Sequence, residues 1–290
     1  MLTVLVGLSG ALIFGAADFL GGVAAKRISP IRVVAISAAT GFVVMLMALA
    51  VLGGEWSTAA VALGAVTGIV GAAAIGLLYA CLAIGPMSIL SPLTAVVSAI
   101  VPATWGLLQG DRLSPIGYVA IGIALVAVVL VGFVPERGAV RPTLPGLVMA
   151  TASGALIGAF LILMDLTPDD SGLVPLVVNR AVNSTTMFLV VGFIALAMAR
   201  RPRTTAVAAA RGWRPGLWFA VSVGVLDSVA NALILFGLRV GELSVMSVLT
   251  AMYPAGTILL AATVLRERIA PVQWVGLVLA LAAAGMLSQA

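Results

Sequence analysis

The sequence predicts an all-α membrane protein with ten transmembrane helices, arranged as two inverted five-helix repeats. Three observations support this fold class: the hydropathy of the chain, a repeated sequence pattern, and the distribution of basic residues between apolar segments. Of the 290 residues, 62% are hydrophobic and only 9% are charged, whereas soluble domains carry about 25% charged residues. Since so few polar side chains cannot cover a water-exposed surface, lipid must be the main solvent of the folded chain.

Ten segments are long and apolar enough to cross a bilayer as helices, which need about 20 residues each. Helical structure is required because backbone groups in lipid must hydrogen-bond within their own segment. The predicted spans are Leu2–Val23, Ile31–Leu52, Ala60–Ile84, Met87–Leu108, Pro115–Val134, Leu144–Met164, Leu173–Ala199, Pro215–Leu238, Leu243–Leu265 and Val272–Leu287. The third and fourth spans meet at Gly85 and Pro86, which predicts a tight helical hairpin.

The second half of the chain repeats a pattern of the first half. Matching pairs of segments occur in the same order: Ser9–Ile13 with Ser153–Ile157, Gly85–Ala95 with Gly241–Ala251, and Asp111–Pro115 with Glu267–Pro271. The chain is therefore predicted to contain two five-helix units, residues 1–137 and 138–290. Because five is odd, the second unit enters the membrane upside down relative to the first. Inverted repeats of this kind are typical of transporters.

Basic residues concentrate in alternate loops, which predicts the orientation of the protein. One set of loops contains Lys26, Arg27, Arg32, Arg137, Arg141, Arg200, Arg201, Arg203, Arg211, Arg214, Arg266 and Arg268. The other set contains only Arg112 and Arg239, with Glu55, Asp111, Asp165, Asp169, Asp170 and Glu242. Loops rich in Lys and Arg face the cytoplasm. We therefore expect a multi-pass protein of the plasma membrane with both termini outside.

Three charged residues lie inside predicted spans, namely Asp18, Arg180 and Asp227. A charge near the bilayer centre costs roughly 2.5–3.5 kcal/mol on insertion scales, so each one indicates a structural or functional role. Asp18 is expected to bind or gate a solute, or to pair with Lys26 or Arg27. Arg180 either binds a carboxylate or phosphate or extends to the lipid headgroups, and Asp227 either acts in transport or forms a buried ion pair with Arg180.

Several uncharged polar residues accompany these charges. Asn179 and Asn183 lie one turn apart beside Arg180 and form a polar stripe with it, and Asn231 lies one turn after Asp227. Tyr79 and Tyr253 are expected to line a cavity, although aromatic residues also serve in packing and at membrane interfaces. The predicted substrate-binding or coupling set therefore comprises Asp18, Tyr79, Asn179, Arg180, Asn183, Asp227, Asn231 and Tyr253.

Particular segments resemble the EamA family of the drug/metabolite transporter superfamily. The turns LQGDRLSP at Leu108–Pro115 and LRERIAP at Leu265–Pro271 are similar to the turn before the last helix of each family repeat. Phe14–Gly22, Leu226–Asn231 and Thr250–Pro254 resemble segments of a subgroup with an acidic residue in its first helix. The resemblance covers the whole chain. It implies two five-helix bundles around a central cavity, but it implies no particular solute.

The leading hypothesis is a secondary transporter that moves a small polar metabolite or drug by alternating access. No phosphate-binding loop of the ATPase type is present, so a gradient or exchange would supply energy. The chain has no histidine, and a coupling proton would therefore bind Asp18 or Asp227 if burial raised the pKa of its carboxyl into range. The alternative is a lipid flippase or lipid-binding membrane component, which would open laterally between helices.

Other classes of function are not expected. The sequence lacks zinc-protease and serine-hydrolase motifs, so it does not predict an enzyme. It predicts neither a cofactor nor a metal site, because it has no histidine and a single cysteine, Cys81. Nucleic acid is not an expected partner, since the basic residues lie between apolar spans. The expected partners are a small-molecule solute, membrane lipid and a coupling proton, in a monomer or a homodimer.

Overall fold

The computed structural model describes residues 1–25, 27–84, 87–132, 142–199, 214–266 and 269–289. These residues form α-helices and one short 3-10 helix, and none of them lies in a β-strand. The α-helices are α1 (Leu2–Ala25), α2 (Pro30–Leu52), α3 (Thr58–Ile84), α4 (Met87–Gln109), α5 (Pro115–Gly132), α6 (Leu144–Asp165), α7 (Val174–Ala199), α8 (Arg214–Val240), α9 (Leu243–Thr250), α10 (Tyr253–Val264) and α11 (Pro271–Leu287). The 3-10 helix, Asp169–Ser171, lies between α6 and α7.

These helices confirm the predicted all-α membrane fold. In the described part of the chain, nine segments are long and apolar enough to cross a membrane, with α9 and α10 together forming one of them. The tenth apolar helix, α11, has 17 residues and a length of about 25 Å. It is therefore slightly shorter than the roughly 30 Å hydrocarbon core. The hairpin predicted at Gly85 and Pro86 lies outside the described residues.

The ninth span differs from the continuous helix that the sequence predicts. It is divided into α9, which ends at Thr250, and α10, which begins at Tyr253. Pro254 explains the break, because proline has no amide hydrogen to donate and its ring clashes with the carbonyl of the residue four positions earlier, here Thr250. In the equivalent span α4, a serine, Ser98, occupies the matching position, and that helix is continuous.

Helices of one half pack on helices of the other half. The first helix of each half packs on the third helix of the other half, α1 on α8 and α6 on α3. The second helices α2 and α7 pack together, as do the last helices α5 and α11. Swapping the two halves exchanges the first two pairs and maps each of the last two onto itself, which is what a pseudo-two-fold axis requires. The division between residues 137 and 138 lies outside the described residues and stays a prediction.

The turns that precede α5 and α11 have matching backbone conformations. Gly110 has a φ of 115° and Arg266, at the equivalent position of the second half, has a φ of 55°. A positive φ is uncommon for a residue with a side chain, so Arg266 keeps the turn geometry despite its Cβ. Each following helix begins with a proline, Pro115 or Pro271, a residue that suits the first helical turn.

Glycine permits a close contact between α1 and α10. A Cβ atom on Gly15 would lie 2.3 Å from the carbonyl oxygen of Tyr253 and 2.7 Å from the amide nitrogen of Thr257. The Thr257 hydroxyl also donates a hydrogen bond to the Gly15 carbonyl, at 3.1 Å. Association in lipid relies on close packing and interhelical hydrogen bonds of this kind. Gly15 therefore fixes the position of α10 against α1.

We predict that Gly15→Ala destabilises the protein by roughly 1–3 kcal/mol, the usual cost of overpacking, because the atoms that it meets belong to the backbone. The midpoint of thermal unfolding in detergent should fall. The matched control is Gly22→Ala in the same helix, where a Cβ would have no atom within 4 Å and the midpoint should not fall. Equal midpoints for the two variants would contradict this close packing of α1 and α10.

Candidate functional site

An ion pair lies within the helix bundle. Arg180 on α7 and Asp227 on α8 pair through the Nη2 and Oδ2 atoms, and their side chains are only 11% and 22% exposed. Asn231, one turn after Asp227, donates from Nδ2 to Oδ1 of Asp227 at 3.2 Å and to its backbone carbonyl at 2.7 Å. Both carboxylate oxygens of Asp227 therefore have partners, one charged and one neutral.

Helix α2 positions this ion pair, because it packs against both α7 and α8. At Gly41 the α2 backbone accepts a hydrogen bond from the Ser228 hydroxyl, at 3.3 Å. A Cβ on Gly41 would lie 2.9 Å from that hydroxyl oxygen and 3.4 Å from Cδ of Arg180. The missing side chain of Gly41 thus leaves room for the arginine to reach Asp227. Gly41 and Ser228 were not among the residues predicted from the sequence.

Asn179 and Asn183 do not extend the polar stripe into an open site. Asn179 is buried and donates from Nδ2 to the Thr67 hydroxyl oxygen on α3, at 3.1 Å. The Thr67 hydroxyl in turn donates to the Gly64 carbonyl, at 2.8 Å. Asn183 is also buried, close to Gly71 on α3. This geometry gives both asparagines a packing role between α7 and α3, and it makes Thr67 a partner that the sequence did not indicate.

Asp18 lies on the protein-facing side of α1, yet its side chain is exposed. Gly7 and Ala11 share this face of the helix and are buried. The Asp18 carboxylate interacts electrostatically with Asp227 and with Tyr253. It forms no hydrogen bond or ion pair with any other described residue. The exposed carboxylate thus lies on the side of α1 that faces other helices of the bundle.

Of the two alternative partners of Asp18 predicted from the sequence, Arg27 contacts another residue and Lys26 is untested. Arg27 places its guanidinium over the ring of Phe219 on α8, 4.4 Å from the ring centroid. Lys26 lies outside the described residues. Tyr253 packs edge-to-face against Phe14, with ring centroids 5.7 Å apart and the ring planes at 60°, and it thus lies beside Asp18. Tyr79 lies on α3, but its side chain is outside the described part of the structure.

The two ends of the bundle differ in packing. We name as the acidic end the one that contains Asp111, Asp169 and Glu242, and as the basic end the one that contains Arg27 and Arg32. Along α1, Ala11 is buried, whereas Asp18 and Gly22, nearer the basic end, are exposed.

Two other elements show the same change from the acidic end to the basic end. On α7, Asn183 is 8% exposed, whereas Val190, two turns closer to the basic end, is 39% exposed. Every residue of α9 from Leu243 to Leu249 is buried, whereas Gly256 is the one buried residue of α10. Exposure on α1, α7 and α10 therefore increases toward the basic end, where a buried cluster around Ala220 still packs α1 and α2 against α8.

Hydrogen bonds between the halves and within the second half reinforce the acidic end. Oδ2 of Asp111, in the turn before α5, accepts from the Ser244 amide at 2.9 Å and from the Ser244 hydroxyl at 2.7 Å. Arg239, at the end of α8, donates to the carbonyls of Asp169 and Gly172 at 2.6 and 3.1 Å. Asp111 thus joins the turn of the first half to the start of α9 in the second half.

Asp111 and Glu242 form a carboxyl pair at this end. A hydrogen bond between two carboxyl groups requires a proton on one of them. The hydrogen bond with Asp111, then partial burial and the charges of Asp111 and Asp165, raise the pKa of Glu242 to about 7. Burial acts to raise the pKa of Asp111, but hydrogen bonds from Glu242 and Ser244 outweigh it and hold that pKa below its ordinary value. Glu242 is therefore the carboxyl that carries the proton.

This assignment predicts a pH dependence of stability. Between the ordinary Glu pKa of about 4.5 and about 7, the folded protein binds more protons than the unfolded chain. The free energy of unfolding therefore falls as the pH rises through this range. The lowered pKa of Asp111 acts only below its ordinary value of 3.8, outside this range. Unfolding in detergent should show a decline from pH 5 to pH 7.5.

The variant Glu242→Gln should make this decline smaller, because its amide still donates to Asp111 but does not titrate. Glu55→Gln, at the same end of the bundle, is the matched control and should keep the dependence of the unmodified protein. If Glu242→Gln and Glu55→Gln had the same slope of stability against pH, the assignment of the proton to Glu242 would be wrong.

Comparison with known proteins identifies the fold and the family. A search of curated proteins found no match. A solved crystal structure aligns over 99% of this chain and 96% of its own, with a TM-score of 0.70 and 16% sequence identity; at this identity the likeness shows a shared fold. The sequence model of the EamA-like transporter family matches residues 144–289, just over half of the chain. The chain therefore belongs to the EamA-like transporter family, a family of membrane transporters and not of enzymes.

Proposed function

We propose that this chain is a secondary transporter that moves a small polar solute across the plasma membrane by alternating access. Its solute site would be formed by Asp18 together with the ion pair of Arg180 and Asp227. One observation supports this most strongly: the exposed Asp18 carboxylate lies on the protein-facing side of α1 and interacts electrostatically with Asp227. An intramembrane charge that faces a cavity marks a solute or ion pathway by default.

A bound solute would displace one partner of the ion pair between Arg180 and Asp227. A charged group of the solute would compete with one partner and weaken the link between α7 and α8. Arg180 also offers an unused donor, because its buried Nε atom has no acceptor among the described residues, and an unsatisfied buried donor is costly. A solute that binds one arrangement of these charges more tightly than another shifts the population of the two conformations.

The packing of the bundle supports an alternating-access cycle. In this state α1, α7 and α10 are more exposed toward the basic end, and we propose that a cavity opens there to the cytoplasm, the side that basic loops favour, while the acidic end is closed. The exchanged contacts of the two halves supply a second, equivalent packing in which the closed end opens. Opening the acidic end would break the contact between Asp111 and Ser244, which joins the two halves.

A proton is the coupling ion that we propose, and Asp18 is the residue that we expect to carry it. The carboxylate is reachable from the cavity and has no counter-ion among the described residues. Protonation removes its repulsion with Asp227 and so changes the balance between the two conformations. Membrane lipid surrounds the apolar outer faces. The proposal holds for a monomer and for a homodimer.

Reconstituted liposomes test the proposed function with a panel of radiolabelled metabolites and drugs. For any solute that accumulates, Arg180→Ala and Asp227→Asn should each reduce the initial rate at least about tenfold, the effect of losing roughly 1.4 kcal/mol of solute interaction. Asp18→Asn should slow transport and flatten its dependence on pH. Asp170→Asn, at the acidic end and away from the proposed site, is the matched control and should transport normally.

Each variant must also give a monodisperse, folded protein, so that a lost rate reports on transport. Full transport by Asp227→Asn would overturn the proposed site. Movement of fluorescent phospholipid between leaflets, without accumulation of any solute in the panel, would overturn solute transport and favour a lipid flippase.

A further inference from the structure

Two aromatic rings accompany the Asp18 carboxylate. Phe14 lies one helical turn before Asp18 on α1, so the two side chains share a face. Tyr253, the first residue of α10, packs edge-to-face against Phe14 and interacts electrostatically with Asp18. Both aromatic side chains are only partly buried. We call Phe14, Asp18 and Tyr253 the α1–α10 cluster.

The charges around this cluster do not cancel. Arg180 is the cation nearest to Asp227 in the described structure, and it is paired with Asp227. Asn231, which is neutral, occupies the other carboxylate oxygen of Asp227. Asp18 is left without a counter-ion among the described residues, so the three charged groups carry a net charge of −1 when Asp18 is ionised. An ionised carboxylate enclosed by protein favours the arrival of a positive charge.

The cluster discriminates between classes of ligand. An anionic group would meet the repulsion of both Asp18 and Asp227. A divalent metal ion needs several oxygen or nitrogen ligands, and the described residues contain no group of three or more acidic, histidine or cysteine side chains that could hold one. An organic ammonium group needs one carboxylate and an apolar, electron-rich surface, and aromatic faces attract such cations. The α1–α10 cluster supplies both.

We infer that the α1–α10 cluster binds the ammonium group of an organic cation and that the transported solute carries such a group. This inference rests on the proposed transport function and adds the chemical class of the solute. Asp18 supplies the opposite charge, and Phe14 and Tyr253 supply the aromatic surface. The access path is the cavity proposed above at the basic end.

A proton and an organic cation would exclude one another at this cluster. Each neutralises Asp18, and protonated Asp18 no longer attracts the ammonium group. Binding of a cation with a permanent charge should therefore weaken as the pH falls. This dependence separates the carboxylate of Asp18 from a purely apolar surface, which would bind equally well at all pH values.

Isothermal titration calorimetry of the purified full-length protein in detergent tests the inference. The probe is benzyltrimethylammonium, whose charge does not change with pH, and benzenesulfonate is the anion of similar size. The protein should bind the cation and not the anion. Asp18→Asn should weaken cation binding about tenfold or more, whereas Asp18→Glu, which keeps the charge, should retain most of it.

Variants of the two aromatic residues provide a second test of the inference. Phe14→Leu and Tyr253→Leu should each weaken binding by about 2- to 30-fold, the range expected from loss of a cation–aromatic contact. Asp170→Asn is the matched control and should bind as the unmodified protein does. Thermal unfolding of every variant shows whether the fold is kept, and Asp18→Glu keeps the inference testable if the leucine variants fail to fold.

The results separate this inference from the proposed function. A protein that transports a solute of the panel but binds no benzyltrimethylammonium, or binds it equally with Asp18→Asn, would overturn the cation site and leave transport standing. Binding that depends on Asp18, without transport of any solute, would support the cation site and contradict the transport function. Preference for benzenesulfonate would overturn the inference outright.

Discussion

The ion pair between Arg180 and Asp227 is the interaction on which the interior of this protein depends. Helix α7 packs on α3 and α2, helix α8 packs on α1 and α2, and the two helices have little contact with each other, so the pair is the polar link between them. Removing one partner of such a pair leaves an uncompensated charge and typically costs about 3–5 kcal/mol. Gly41 lets the arginine reach across α2, and Asn231 holds the carboxylate in position. The position of the Arg180 side chain, the charge balance of the pair and the accessibility of Asp18 all follow from this arrangement.

The difference between the two ends of the bundle also follows from how their polar groups find hydrogen-bond partners. At the acidic end, Asp111 and Ser244 bond across the two halves and Arg239 bonds within the second half, so the helices close on each other. Toward the basic end, Asp18 remains accessible and α10 is largely uncovered. The two ends of the bundle are therefore unequal, as the proposed alternating-access cycle requires of each state.

Much of the fold could be predicted from the sequence because the membrane restricts the options. Length and hydropathy indicate spanning helices, and the aligned segments indicate the repeat, which the matching turns at Gly110 and Arg266 reflect in the backbone. The break before Tyr253 was not predicted, because proline is also tolerated within α4, where Pro92 and Pro102 lie inside a continuous helix. Whether proline interrupts a membrane helix depends on the neighbouring helices that satisfy the freed groups.

The site was only partly predictable, because helix rotation is set by non-local packing. Sequence reasoning identified Asp18, Arg180 and Asp227 from the cost of charge in lipid. It could not show that Asn179 bonds Thr67 on another helix, or that Glu242 meets Asp111 across the two halves. Those contacts depend on the exchanged packing of α3 with α6 and α7 and of α4 with α9. The glycine at position 41 gives no signal in a chain that contains 32 glycines.

The central claim is that Arg180 and Asp227 act as one coupled pair, and a double-mutant cycle tests it most directly. The free energy of unfolding is measured for the unmodified protein, Arg180→Met, Asp227→Leu and the double variant. Each single variant should lose about 3–5 kcal/mol, and the double variant should lose far less than the sum, because no buried charge is left unpaired. Additive losses, within the roughly 0.5 kcal/mol typical of independent sites, would contradict the claim.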